Sequence, residues 1–196
     1  VGSIAKIELD LFKKIVFSVC PGFVVDSSIK ELMNNLYYYV NDDAKGSLDI
    51  KKGILLWGDI GTGKSTIIRI TGELLRFNGN GYKTVNCSWL TTQYAHIGLE
   101  ALNSSTYNEV DMTYKPVNRA FDELGREPIP ARHYGNELNV MQYVFQCRYE
   151  LRDMVKTFAT TNLRPDSLEK IYGTYIADRI NEMFNIVEIR GKSRRN

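Results

Sequence analysis

The segment from Gly53 to Thr66, GILLWGDIGTGKST, constrains this chain more than any other. Five residues, GILLW, make a short apolar run bounded by glycines, the pattern of a parallel strand buried on both faces. The next eight, GDIGTGKS, satisfy G-x-x-x-x-G-K-[ST] through Gly58, Gly63, Lys64 and Ser65. TIIRITGELLRF follows with helical periodicity. Average residue frequencies produce the motif by chance on the order of 0.01 times in a chain this long. Its place between strand and helix is the one its chemistry requires. Glycines, Gly61 among them, let backbone N–H groups close around phosphate at a helix N-terminus. Lys64 adds a charge for the β and γ phosphates and Ser65 a hydroxyl for magnesium. Thr66 is a second hydroxyl within reach of the α phosphate. Gly58, Asp59, Ile60, Gly61, Thr62, Gly63, Lys64, Ser65 and Thr66 are thus the candidate nucleotide-binding residues, with ATP and Mg2+ as the expected ligands.

A phosphate loop needs a second acid to hold the metal, at the end of a neighbouring strand. FDEL supplies Asp122 for magnesium or its waters and Glu123 as the base for an attacking water. The alternative is an acidic pair in a surface turn, and Asn118 and Arg119 are unusual in a buried strand. Thr160, Thr161 and Asn162 follow the strand candidate KTFATT. Asn162 could hold the attacking water or serve only as a turn residue.

The rest of the chain alternates between helix and strand. Residues 4–19 read as a helix up to Pro21, and Asp26 as the cap of a second helix through Val40. Further strands are expected at 82–87, 116–124, 156–161 and 185–190. Helices are expected from Ser88 to near Leu102, from Asn136 to Val155, and over 166–184 with a break near Gly173. Residues 103–115 and GREPIPARHYG read as loops. This alternation implies βαβ units and a parallel sheet covered on both faces. Residues 1–50 are expected to form a helical segment or linker and 51–196 the nucleotide-binding core.

Composition adds exclusions. The chain has 196 residues, enough for one α/β domain, and a formal net charge of only +2, which gives no bulk attraction to nucleic acid. Cys20, Cys87 and Cys147 are scattered without metal-ligand spacing, which argues against zinc and suits a reducing compartment. No apolar run spans a bilayer and no signal peptide is evident, so the cytoplasm is the expected location. The first residue is Val, which suggests a start inside a longer protein or after a tag scar. Tyr37, Tyr38 and Tyr39 cannot all face one way on a helix, so partial core packing is expected over base stacking. Arg126, Arg132 and His133 read as a solvated loop, with contact to DNA or a neighbouring subunit as the alternative.

Taken in order, GILLWGDIGTGKS, FDELG, FATTNL, YGTYIADRI and GKSRR resemble the AAA+ ATPases of the DnaC/IstB-like group, which includes helicase loaders and transposition helpers. The resemblance runs from about Gly53 to Arg195. It implies a three-layer αβα P-loop core with a mainly parallel five-stranded sheet and a reduced or absent helical lid. It implies ATP hydrolysis, single-stranded DNA and a ring-shaped replicative helicase as partners, and assembly of copies on ATP. It assigns Arg179 as an arginine finger for a neighbour's ATP, against a simple ion pair with Glu182. Arg195, ahead of Arg194, looks like the tail arginine that senses nucleotide, against a solvated basic tail. A transposition helper on duplex DNA, a P-loop small-molecule kinase and a non-hydrolysing ATP-binding module remain the alternatives.

Overall fold

The computed structural model describes residues 6–106, 116–191 and 193–194. Five parallel strands form the central sheet: β1 (Gly53–Trp57), β2 (Lys83–Asn86), β3 (Arg119–Leu124), β6 (Thr157–Thr161) and β7 (Phe184–Glu188). Their order is β2-β3-β6-β1-β7. A hairpin, β4 (Ala131–His133) and β5 (Asn136–Leu138), stands apart from it.

Side chains alternate across a strand, and the two cores follow that period. Ile54 and Leu56 of β1, Ala120 of β3 and Phe158 of β6 enter one core. Leu55, Phe121 and Ala159 enter the other. The first core is closed by α1 (Leu9–Val19), α2 (Lys30–Val40) and α3 (Lys64–Phe77). The second is closed by α4 (Cys87–Ile97), α5 (Glu100–Thr106), α6 (Val140–Glu150), α7 (Pro165–Tyr172) and α8 (Thr174–Met183). This is the expected three-layer α/β architecture. Among the described residues, no helix is long and apolar enough to cross a membrane.

Several local readings change. Asp26 does not cap α2, whose first residue is Lys30 and whose N-cap is Ile29. Asn86, not Ser88, caps α4 by accepting the Trp89 N–H at 3.0 Å. The Pro-rich loop contains the β4–β5 hairpin, turned by Tyr134 and Gly135, both at positive φ. α6 begins at Val140 rather than Asn136, because 136–138 belong to that hairpin. Tyr39 is buried and donates to Lys52 O at 2.7 Å, while Tyr37 packs edge-on against Phe12.

The polar start of β3 has a structural cause. Asn118 lies just before the strand, donates to Asn80 O at 2.7 Å and accepts the Lys156 N–H at 2.8 Å, joining the lead-ins of three strands. Arg119 is buried and donates to Ser104 O at 2.8 Å. Behind it, the fully buried Arg148 of α6 donates to Thr157 Oγ1, Val117 O and Lys156 O at 2.9, 2.8 and 3.0 Å. Burial, with a smaller contribution from Arg119, lowers the Arg148 pKa to about 10, so it remains a cation at neutral pH.

Candidate functional site

The phosphate loop leaves the C-terminal end of β1, a central strand with β6 on one side and β7 on the other. Gly61 and Gly63 adopt φ of 84° and 93°, a region costly for side-chain-bearing residues. Gly63 sits at the N-cap of α3, so the turn delivers the helix's free N–H groups to the loop. Lys64 is nearly buried, and its Nζ donates to Gly58 O at 2.8 Å and Asp59 O at 2.7 Å. Thr62 Oγ1 donates to Asp59 O at 2.9 Å and braces the loop from within.

Ile60, Gly61, Gly63, Lys64, Ser65, Thr66, Glu123, Thr160, Asn162 and Arg194 line one pocket of about 160 Å³. The loop and both strand-end sites named from sequence therefore meet. Ser65 Oγ donates to Asp122 Oδ1 at 2.8 Å. Among the described residues no three His, Cys, Asp or Glu side chains gather as a metal site. The Ser65–Asp122 pair offers two hard oxygen donors, which suits magnesium, an ion that completes its shell with phosphate oxygens and water.

Asp122 and Glu123 diverge because β3 bulges. Phe121 pairs with Ala159 but Leu124 pairs with Thr161, so three steps on β3 face two on β6. Glu123 occupies the extra position at φ 61°. Its N–H donates at 3.0 Å to the Thr160 hydroxyl, which itself donates to Asp122 Oδ1. A bulge re-aims side chains in this way. Asp122 turns to Ser65, while the Glu123 carboxylate accepts from Asn86 Nδ2 at 3.2 Å and from Arg126 at 2.9 Å. Beyond it, Glu127 accepts the Gly125 N–H at 2.8 Å and the Tyr172 hydroxyl, fixing the strand exit. Burial and the Glu127 charge push the Tyr172 pKa far up, which keeps this hydroxyl a donor.

Thr160, Asn86, Arg126 and Arg194 are placed here by the structure and were not assigned these partners from sequence. Asn86 closes β2, and a polar residue near the end of the 82–87 strand candidate was the available signal. Arg126 is exposed in its loop, as expected, and forms an ion pair with Glu123 at 2.9 Å. Arg195 lies outside the described residues, whereas Arg194 reaches the pocket. Arg179 is outside the pocket. Its guanidinium lies 3.6 Å from the Tyr175 ring centre and 4.2 Å from that of Tyr149, with Glu150 at 3.8 Å. Glu182 instead accepts from the Tyr149 hydroxyl at 2.8 Å.

No protein-family model matches the chain, and no curated protein matches it by sequence. Solved structures do. The chain is similar to DnaI, with a TM-score of 0.63 at 21% identity over 93% of each chain. It is similar to the DnaC helicase loader, with a TM-score of 0.60 at 15% identity over 88% of this chain and 96% of that one. The replication initiator DnaA bound to AMPPCP and single-stranded DNA gives a TM-score of 0.55 at 19% identity, over 88% of this chain and 49% of the initiator. With its parallel sheet in the order β2-β3-β6-β1-β7 and its glycine-rich loop at the tip of β1, this chain shares the three-layer α/β fold of DnaC, DnaI and DnaA.

Proposed function

We propose that this chain binds ATP with magnesium, hydrolyses it, and acts as a helicase-loader-type switch whose copies assemble on single-stranded DNA and a ring helicase. The observation that carries the reading is the 2.8 Å contact between Ser65 Oγ and Asp122 Oδ1 beside Lys64. It joins a phosphate loop to a strand-end acid, the minimum needed to seat a metal–triphosphate. Likeness in fold to a helicase loader and to a DnaA solved with AMPPCP and single-stranded DNA supports the choice over a small-molecule kinase.

Each residue has a part in this reading. Backbone N–H groups from Gly61 to Ser65 receive the phosphates. Lys64 exchanges the carbonyls of Gly58 and Asp59 for phosphate oxygens. Ser65 and Asp122 hold magnesium, which neutralises charge on the terminal phosphates. Glu123 accepts a proton from the attacking water and Asn162 orients that water. Arg179 serves the nucleotide of a neighbouring copy.

Calorimetry with Mg-ATP tests the core of the proposal. Wild type should bind saturably, Lys64→Ala should lose binding, and Glu123→Gln should bind but hydrolyse about 10²–10⁴-fold more slowly. Undiminished affinity in Lys64→Ala would sink the cradle assignment. Free phosphate is the expected product, and transfer to an acceptor would favour a kinase. An ATP-dependent gel shift on single-stranded rather than duplex DNA, with co-elution of a ring helicase, separates the loader from a transposition helper.

A further inference from the structure

Beyond β7 the chain turns back over the phosphate loop, and Arg194 crosses it. Its backbone N–H donates to Gly61 O at 2.8 Å. Its NH1 donates to Thr62 O, and its NH2 donates to Asp26 Oδ2 at 2.7 Å and Ser28 Oγ at 2.8 Å. Asp26 is itself oriented. Its other oxygen, Oδ1, accepts the Ser28 N–H at 2.9 Å and the Ser28 hydroxyl at 2.6 Å. Residues 26–28 thus form a turn whose carboxylate gives one oxygen to the turn and one to Arg194.

This pair is a poor stabiliser. The Asp26 side chain is 46% exposed and that of Arg194 is 22% exposed, and ion pairs in contact with water contribute little. What the arrangement does achieve is to fix a long side chain. A free arginine samples many rotamers, and ordering it on ligand arrival costs binding free energy. Here the guanidinium already borders the pocket that holds Lys64, Gly63 and Asn162. A fixed guanidinium beside a lysine and a ring of amides is a recognition element for a polyanion such as a phosphate chain.

We propose that Asp26 and Ser28 are positioning residues for nucleotide binding, holding Arg194 over the phosphate loop where its guanidinium meets the phosphates of a nucleoside triphosphate. The proposal rests on the ATP reading above and extends it to a turn 30 residues and more before the loop. The two hydrogen bonds from Ser28 and the charge of Arg194 hold the Asp26 pKa down at about 2, so the clamp is charged throughout the working pH range.

A double-mutant cycle followed by Mg-ATP calorimetry provides the test, using wild type, Asp26→Ala, Arg194→Ala and the double variant. Asp26→Ala should weaken Mg-ATP binding about 5-fold or more, and by less than about 2-fold once Arg194 is already alanine. A role confined to folding would be felt equally in both backgrounds. Asp26→Asn retains an oxygen for Ser28 and removes only the ion pair, so it should weaken binding too, and it stands in if the alanine variant folds poorly. Affinity equal to or tighter than wild type in Asp26→Asn, or equal losses with and without Arg194, would overturn the proposal. Absence of Mg-ATP uptake by folded wild type would instead remove the ATP reading, and this inference with it.

Discussion

The Thr160 hydroxyl accepts the backbone N–H of Glu123 at 3.0 Å, replacing a ladder partner that the β3 bulge displaces. The same hydroxyl donates to Asp122, so one buried side chain sets the directions of both acids.

Thr160→Val keeps the volume and removes both bonds. Leaving the Glu123 N–H without its partner should cost about 1–3 kcal/mol of stability. Loss of the support behind the acid proposed to hold magnesium should slow hydrolysis by about 10–100-fold. Thr160→Ser should retain both properties. Denaturant unfolding and phosphate release across a magnesium titration measure the two effects separately. A valine variant with wild-type turnover would show that Asp122 is aimed by something else.

Arg148 fixes the opposite end of the sheet. It supplies donors to Thr157 and to the carbonyls of Val117 and Lys156, all at the lead-ins of β3 and β6. Arg148→Met removes those donors but keeps most of the buried bulk. The stranded carbonyls should cost on the order of 3 kcal/mol, seen as a lowered urea midpoint. Arg148→Lys should recover little of it, since an ammonium cannot serve the same planar set of acceptors. A midpoint unchanged in Arg148→Met would refute this account of the polar strand start.

Asp26 gives a sign-defined pH effect. Its folded pKa lies at about 2, below the ordinary 3.8, through the Ser28 hydrogen bonds and Arg194. Its contribution to stability is therefore fully present above about 4 and is lost as pH falls through about 2. NMR titration of the Asp26 carboxyl carbon should place its midpoint near 2. Arg194→Ala should move that midpoint upward, and the bonds from Ser28 should keep it below the ordinary value. An Asp26 midpoint already at the ordinary value in wild type would contradict the clamp geometry.

Arg179 is stacked between two tyrosines, and its NH1 is buried with no hydrogen-bond partner among the described residues. An arginine finger must reach out of its own subunit, so service to a neighbour's nucleotide requires Arg179 to leave this stack. With Arg179 serving a neighbouring copy, wild-type turnover per molecule should climb with protein concentration. Arg179→Ala should bind Mg-ATP normally and lose that climb, with a deficit of about 10³-fold or more at saturation. Turnover per molecule independent of concentration in wild type would exclude the assignment.

The parts legible in the sequence were those written locally. GILLW and the helix after Ser65 follow from periodicity and glycine placement, and the five-strand alternation follows from the same signals. The β4–β5 hairpin escaped because three-residue strands carry almost no periodicity, and its turn uses Tyr134 where asparagine or aspartate is the usual signal. Asp26 was a sound helix cap by local rules, and its Oδ1 does accept the Ser28 N–H, but the regular helix starts later, at Lys30, and the second carboxylate oxygen goes to a residue 168 positions away. The bulge at Glu123 was equally hidden, because it depends on a hydroxyl from another strand. Local pattern named the candidate residues. Their aim was set by partners that only folding brings near.

The tail's path over the phosphate loop has a mechanical consequence. A β-carbon added at Gly58 would strike Ile189 O, one at Gly61 would strike Ser193, and one at Gly63 would press on Arg194. The loop's glycines thus make room for the returning chain. On the ATP reading, tension on Arg194 would pass directly into the backbone proposed to grip the nucleotide, and a change of grip would travel outward by the same short lever.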